Sequence, residues 1–120
     1  MDSSDSLVTS WCKEFQAFRL GGGEELKRSD EELMNLTHQD LKSALSVVLE
    51  IANRMTNPDA LKYLAAQHFE EVCALGSEDL LADLSEQQCV AVRRLAPHIW
   101  IGRLSDATKG ILLKTVESRN

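Results

Sequence analysis

The stretch THQDLKSALSVVLEIANRM, residues 37–55, decides the fold of this chain. Its apolar residues follow the i, i+3, i+4 spacing that places side chains on one face of an α-helix. That face consists of Leu41, Ala44, Leu45, Val48, Ile51, Ala52 and Met55. Val47 and Leu49 widen it until little polar perimeter remains. Because so apolar a helix has to be covered on several sides, we predict that residues 38–55 form a buried central helix.

The composition of the whole chain also favours helices. Its 120 residues fit one domain, residues 1–120, and 43% hydrophobic against 27% charged residues is typical of a globular protein. Six glycines and two prolines leave few turns for a sheet, and no alternation of β-branched and aromatic residues lasts beyond a few positions. We therefore predict an all-α fold, a compact bundle of six or seven short helices around the central one.

Hydroxyl, amide, proline and glycine residues indicate where helices begin and end. Ser29-Asp30-Glu31-Glu32 and Ser85-Glu86-Gln87-Gln88 have the spacing of capping boxes. Thr37-His38-Gln39-Asp40 repeats this pattern immediately before the central helix. Asn57-Pro58 suits the start of the next helix, and Gly76 suits its end.

An N-terminal helix, predicted over residues 5–20, carries three of the six aromatic side chains. Leu7, Trp11, Phe15 and Phe18 share one of its faces, and the flexible tether Gly21-Gly22-Gly23 follows, so this helix is a candidate mobile element. Two interpretations are open. The aromatic face packs on the core of its own chain, or it contacts a partner, as aromatic residues do at interface hot spots.

The charge distribution restricts the class of partner. The chain has a net charge of −6, so we expect it to lack the cationic surface that binding to nucleic acid requires. Residues 70–86 include six acids and no Lys or Arg, whereas residues 93–120 include six bases and two acids. These segments are either solvated faces that partly neutralise one another or a polarised surface that orients a protein partner.

Two features near the basic segment are further candidates for contact. Ile99-Trp100-Ile101 forms a compact apolar patch after Pro97. The adjacent Arg93 and Arg94 either bind a carboxylate or phosphate of a partner or interact favourably with the dipole at the C-terminus of their own helix.

No pattern in the sequence indicates a metal, a cofactor or a catalytic centre. The cysteines at 12, 73 and 89 form no CxxC pair, and the histidines at 38, 68 and 98 form no HxxxH or HExxH motif. His68, on an apolar helix face, is typical of a core histidine. No apolar run approaches the ~20 residues of a membrane span, and no secretory leader begins the chain, so we expect no membrane partner and an intracellular location, cytoplasmic or nuclear.

The function predicted from these observations is non-enzymatic binding of other proteins, as an adaptor or a subunit of a larger intracellular complex. The predicted partner-binding residues are Trp11, Phe15, Phe18, Ile99, Trp100, Arg93 and Arg94. The alternative is a structural unit of a helical scaffold that self-associates as a homo-oligomer. A small enzyme without a recognisable motif is the third hypothesis.

Overall fold

A computed structural model describes residues 3–19, 24–76, 78–82, 84–99, 102 and 104–117. Over these residues the chain forms seven helices and no strand, which confirms the predicted all-α bundle. The helices are α1 (Ser3–Arg19), α2 (Glu24–Gln39), α3 (Leu41–Arg54), α4 (Pro58–Leu64, then π-helical Ala65–Phe69, then Glu70–Leu75), α5 (Glu78–Ala82), α6 (Glu86–Leu95, followed by the 3-10 turn Ala96–His98) and α7 (Asp106–Glu117). The predicted glycine tether at residues 21–23, the Phe18 side chain, Trp100 and Ile101 lie outside the described part of the chain.

Helix α3 is the buried centre that the apolar stretch predicts. Helices α1, α2, α4 and α6 all pack against it. Val48 and Ile51 have no exposed surface, and five further α3 residues are also buried: Ala44, Leu45, Val47, Leu49 and Ala52. The helix begins at Leu41, three residues later than predicted, because the carboxylate of Asp40 caps it by accepting the backbone N–H of Ser43.

Two predicted helix starts are wrong, since Ser29 and Thr37 both lie inside α2. The hydroxyl of Thr37 donates to the carbonyl oxygen of Leu33 one turn earlier, a bond that Ser and Thr can make within a helix. The hydroxyl and backbone N–H of Ser29 donate instead to Glu14 of α1. A contact with α1 at Ser29 and a bond within α2 at Thr37 therefore replace the capping role that the local sequence suggested.

Three other predicted boundaries are confirmed. Ser85 and Gln88 form a complete capping box at the start of α6. Asn57 accepts the backbone N–H of Asp59 at the start of α4, with Pro58 in the first turn. Gly76 ends α4 by donating its N–H to the carbonyl oxygen of Val72, and a Cβ built on it would lie 2.5 Å from Leu80 Cδ2. A larger residue at this position would therefore require the end of the Leu80 side chain to move.

All seven helices contribute side chains to one hydrophobic core. Helix α1 supplies Leu7, Val8, Trp11 and Phe15, while the later helices α5 and α7 supply Leu81 and Leu112. The Cα radius of gyration is 13.6 Å, in agreement with the ~13–14 Å expected for a compact domain of this length.

Candidate functional site

The structure places Trp11 and Phe15 in the interior. Trp11 has no exposed surface, and its ring stacks on that of Phe15 with the centroids 5.4 Å apart. Both residues also approach the ring of Tyr63 on α4. Internal packing, one of the two interpretations left open by the sequence, therefore describes these residues. They pack against α4 and leave almost no surface to the solvent, so the structure gives no support to a contact of these two side chains with a partner.

The candidates near the basic segment also contact their own chain. The guanidinium of Arg94 donates to the carbonyl oxygens of Ala52 and Met55, at the C-terminus of α3. Arg94 thus satisfies the end of the central helix, whereas the sequence suggested a partner or the end of its own helix. Arg93 is half-buried, and Ile99 is half-buried against the core.

Asp30 is bonded to three other side chains, and no local pattern in the sequence indicates this role. Its carboxylate on α2 accepts hydrogen bonds from Trp11 of α1 and from Tyr63 and His68 of α4. The Trp11 Nε1 to Asp30 Oδ1 distance is 2.9 Å. We call these four residues the Asp30 junction, because they join three helices through one carboxylate.

Hydrogen bonding decides the charge state of the junction. Burial alone raises the pKa of the Asp30 carboxyl, but the bonds from His68, Tyr63 and Trp11 together outweigh it and lower that pKa below its ordinary value. Burial and the adjacent carboxylate both raise the pKa of the Tyr63 hydroxyl. Asp30 is therefore an anion and Tyr63 a neutral donor at neutral pH.

The Asp30–His68 pair resembles an acid–base pair in composition, but its surroundings are those of a packed core. His68 is 1% exposed, and its Nδ1 has no hydrogen-bond partner within the described residues. It lies in the π-helical segment Ala65–Phe69, a type of distortion that often accompanies functional sites. The surface depressions described below are lined by other residues. As placed, the pair ties α4 to α2.

Two of the cysteines lack the properties of a reactive nucleophile. Burial raises the pKa of the Cys12 thiol, although Arg54 partly offsets the effect. Burial raises the pKa of the Cys73 thiol to about 12. A nucleophilic thiolate needs the opposite shift, toward or below neutral pH.

A surface depression of about 650 Å³ lies between the start of α3 and helices α5 and α6. This size is typical of ligand sites, which span roughly 300–1,000 Å³. Leu45 forms part of its lining and is buried, whereas Leu41, Leu80 and Leu84 are only half-buried. The polar residues around it are Asp40, Lys42, Ser43, Ser46, Asp79 and Gln88. We call this depression the leucine groove.

Two smaller depressions share residues with the leucine groove. One, of about 430 Å³, shares Asp40 and Ser43 and adds Leu7, Glu32, Asn35, Leu36 and Gln39. The other, of about 350 Å³, shares Leu41 and includes Leu75, which is 47% exposed. The three depressions thus share lining residues near the corner between α2 and α3.

No local pattern in the sequence identifies this surface. Helical spacing alone is compatible with an inward position for Leu80 and Leu84. Their partial exposure depends on how α5 and α6 meet the start of α3, and that arrangement has no local signature in the sequence.

Within the described residues, no group of three or more His, Cys, Asp or Glu side chains is placed to hold a metal ion. None of the helices described combines the length and the apolar character needed to cross a membrane. Comparisons of the chain with models of protein families, with curated proteins and with solved structures found no match.

Proposed function

We propose that this protein is a non-enzymatic protein-binding module, an adaptor or subunit of a larger intracellular complex, and that the leucine groove is its contact surface. The observation that supports this proposal is the convergence of three half-buried leucines from two parts of the chain, Leu41 on α3 and the nearby pair Leu80 and Leu84, on one concave site. Clustered apolar residues in a concave site are the usual centre of a binding interface.

Binding of a partner would be driven by further burial of the half-buried leucines in the groove. Full burial of a leucine contributes roughly 1.5–3 kcal/mol relative to full exposure, and half-buried leucines retain part of that contribution for a partner. Leu75, on the adjoining surface, extends the apolar area. Exposed apolar residues that are scattered singly need no explanation, but a contiguous concave group indicates an interaction site.

The test compares proteins captured from cell extract by three immobilised variants. The wild-type protein should retain partners that the double variant Leu80→Ala with Leu84→Ala loses. The variant Leu113→Ala is the matched control, because Leu113 is 48% exposed on α7 and does not line the groove. Circular dichroism melting checks that each variant is folded. If all three folded proteins capture the same set, the groove is not the contact surface.

A further inference from the structure

The charges around the leucine groove indicate the class of partner, an inference that rests on the proposed function. We propose that the groove binds a short amphipathic helix whose leucine-type side chains enter the groove and whose Lys or Arg residues lie along the edge formed by α5. The occupant is thus a basic helical segment of another protein.

Acidic groups predominate around the three depressions. Among the described residues that line them, Glu32, Asp40 and Asp79 are acids, whereas Lys42 is the one lysine or arginine. On the α5 side, Asp79 lines the groove and is exposed. A partner therefore meets a negative edge on that side, with Lys42 on the opposite side.

The N-terminus of α3 does not reverse the preference of the groove for a basic partner. A free helix N-terminus attracts anions. Here Asp40 already occupies it, with Oδ1 3.2 Å from the backbone nitrogen of Ser43 and Oδ2 2.8 Å from its hydroxyl oxygen. These bonds lower the pKa of the Asp40 carboxyl, so it remains charged at neutral pH. An acidic partner would have to approach this carboxylate.

A helix fits the site better than an extended peptide. An extended peptide usually binds by adding a strand to a sheet edge, and no strand occurs in the described part of the chain. A groove between helices instead receives apolar side chains at the i, i+3 or i+4 and i+7 spacing of a partner helix.

The experiment measures binding of two fluorescent synthetic peptides, each about 15 residues long and so ~22 Å as a helix. Both carry the same leucines at helical spacing, but one has lysines and the other glutamates on its polar face. Fluorescence anisotropy should give tighter binding of the lysine peptide, with an advantage that shrinks as salt is raised.

Two substitutions at the groove test the assignment of charge. Asp79→Asn should weaken binding of the lysine peptide by about two- to fivefold, and Lys42→Glu should strengthen it by about two- to fivefold. Both residues are exposed and near helix N-termini, where Asn and Glu are well tolerated. Lys114→Glu, at an exposed position of α7 outside the groove, is the control and should leave the dissociation constant unchanged.

The outcomes separate this inference from the proposed function. Equal binding of the two peptides, binding of neither, or no response to Asp79→Asn and Lys42→Glu would overturn the basic-helix inference. Extract capture that still depends on Leu80 and Leu84 would then leave the proposed function standing. Sedimentation that reveals a dimer disrupted by Leu80→Ala would mean that a second copy fills the groove, and the inference would fail for that reason.

Discussion

The Nε2 atom of His68 lies 2.8 Å from Oδ1 of Asp30, and this contact joins helix α4 to helix α2. The same carboxylate accepts the indole N–H of Trp11 and so holds α1 as well. Helices that are distant along the chain thus meet at one partly buried anion. The stability of the bundle should therefore respond to changes at Asp30 more than to changes at any exposed acid of α2.

Replacement of Asp30 by Asn tests the junction while keeping the size of the side chain. The amide has no negative charge. Its single oxygen can accept hydrogen bonds from only some of the three donors, Trp11, Tyr63 and His68. We expect the free energy of unfolding to fall by about 2–3 kcal/mol, because hydrogen bonds to a charged group contribute roughly 1.5–3 kcal/mol each. Urea denaturation measures this difference. Glu31→Gln, at the exposed neighbouring position of α2, is the control and should change stability by less than about 0.5 kcal/mol.

The junction also predicts how stability depends on pH. The pKa of Asp30 is lowered in the folded state, so the charged form favours folding above the ordinary value of 3.8. That contribution is lost as the pH falls through the folded-state pKa. The stability difference between the wild type and Asp30→Asn should therefore shrink as the pH falls from about 5 to about 2, mainly below the ordinary value of 3.8. Urea titrations over that range measure it, and a difference that persists unchanged at pH 2 would contradict the role of the charge.

Local patterns in the sequence were sufficient to predict the elements that are held by interactions between residues close together in the chain. The spacing of Val48 and Ile51 predicted the buried α3 because helical periodicity reports a face directly. The Ser85 capping box was correct because all of its bonds lie within one turn. Ser29 and Thr37 have the same local pattern, yet α2 continues through them, since Ser29 finds its partner in Glu14 of another helix.

The Asp30 junction and the leucine groove could not be predicted in the same way. Residues 11, 30, 63 and 68 are spread over much of the chain, and only the packing of α1, α2 and α4 brings them together. The groove likewise depends on the position of α5 relative to the start of α3. Hydrophobic periodicity identifies which face is apolar, but it does not reveal how completely a neighbour covers that face.

The central position of α3 predicts a strong asymmetry between two of its residues. Val48 has no exposed surface, whereas Ser46, two residues earlier, is exposed. Val48→Asp should unfold the protein, because an unpaired buried charge costs several kcal/mol and the total stability of a domain is only about 5–15 kcal/mol. Ser46→Asp should remain folded. Circular dichroism of the two variants decides the matter, and a Val48→Asp protein with wild-type melting would show that α3 is not the core.

Arg94 predicts a coupling between α6 and the end of α3. Its guanidinium donates to the carbonyl oxygens of Ala52 and Met55, which otherwise have few partners at a helix C-terminus. Arg94→Met retains much of the apolar stem but removes the donors, so the free energy of unfolding should fall by about 1–3 kcal/mol. Arg94→Lys should recover only part of the loss, because an ammonium group cannot reproduce the planar fork that reaches both carbonyls. Hydrogen exchange supplies a second measurement, since the amides in the last turn of α3 should exchange faster in Arg94→Met. Equal stability and equal exchange in both variants would mean that these bonds do not hold α6 to the central helix.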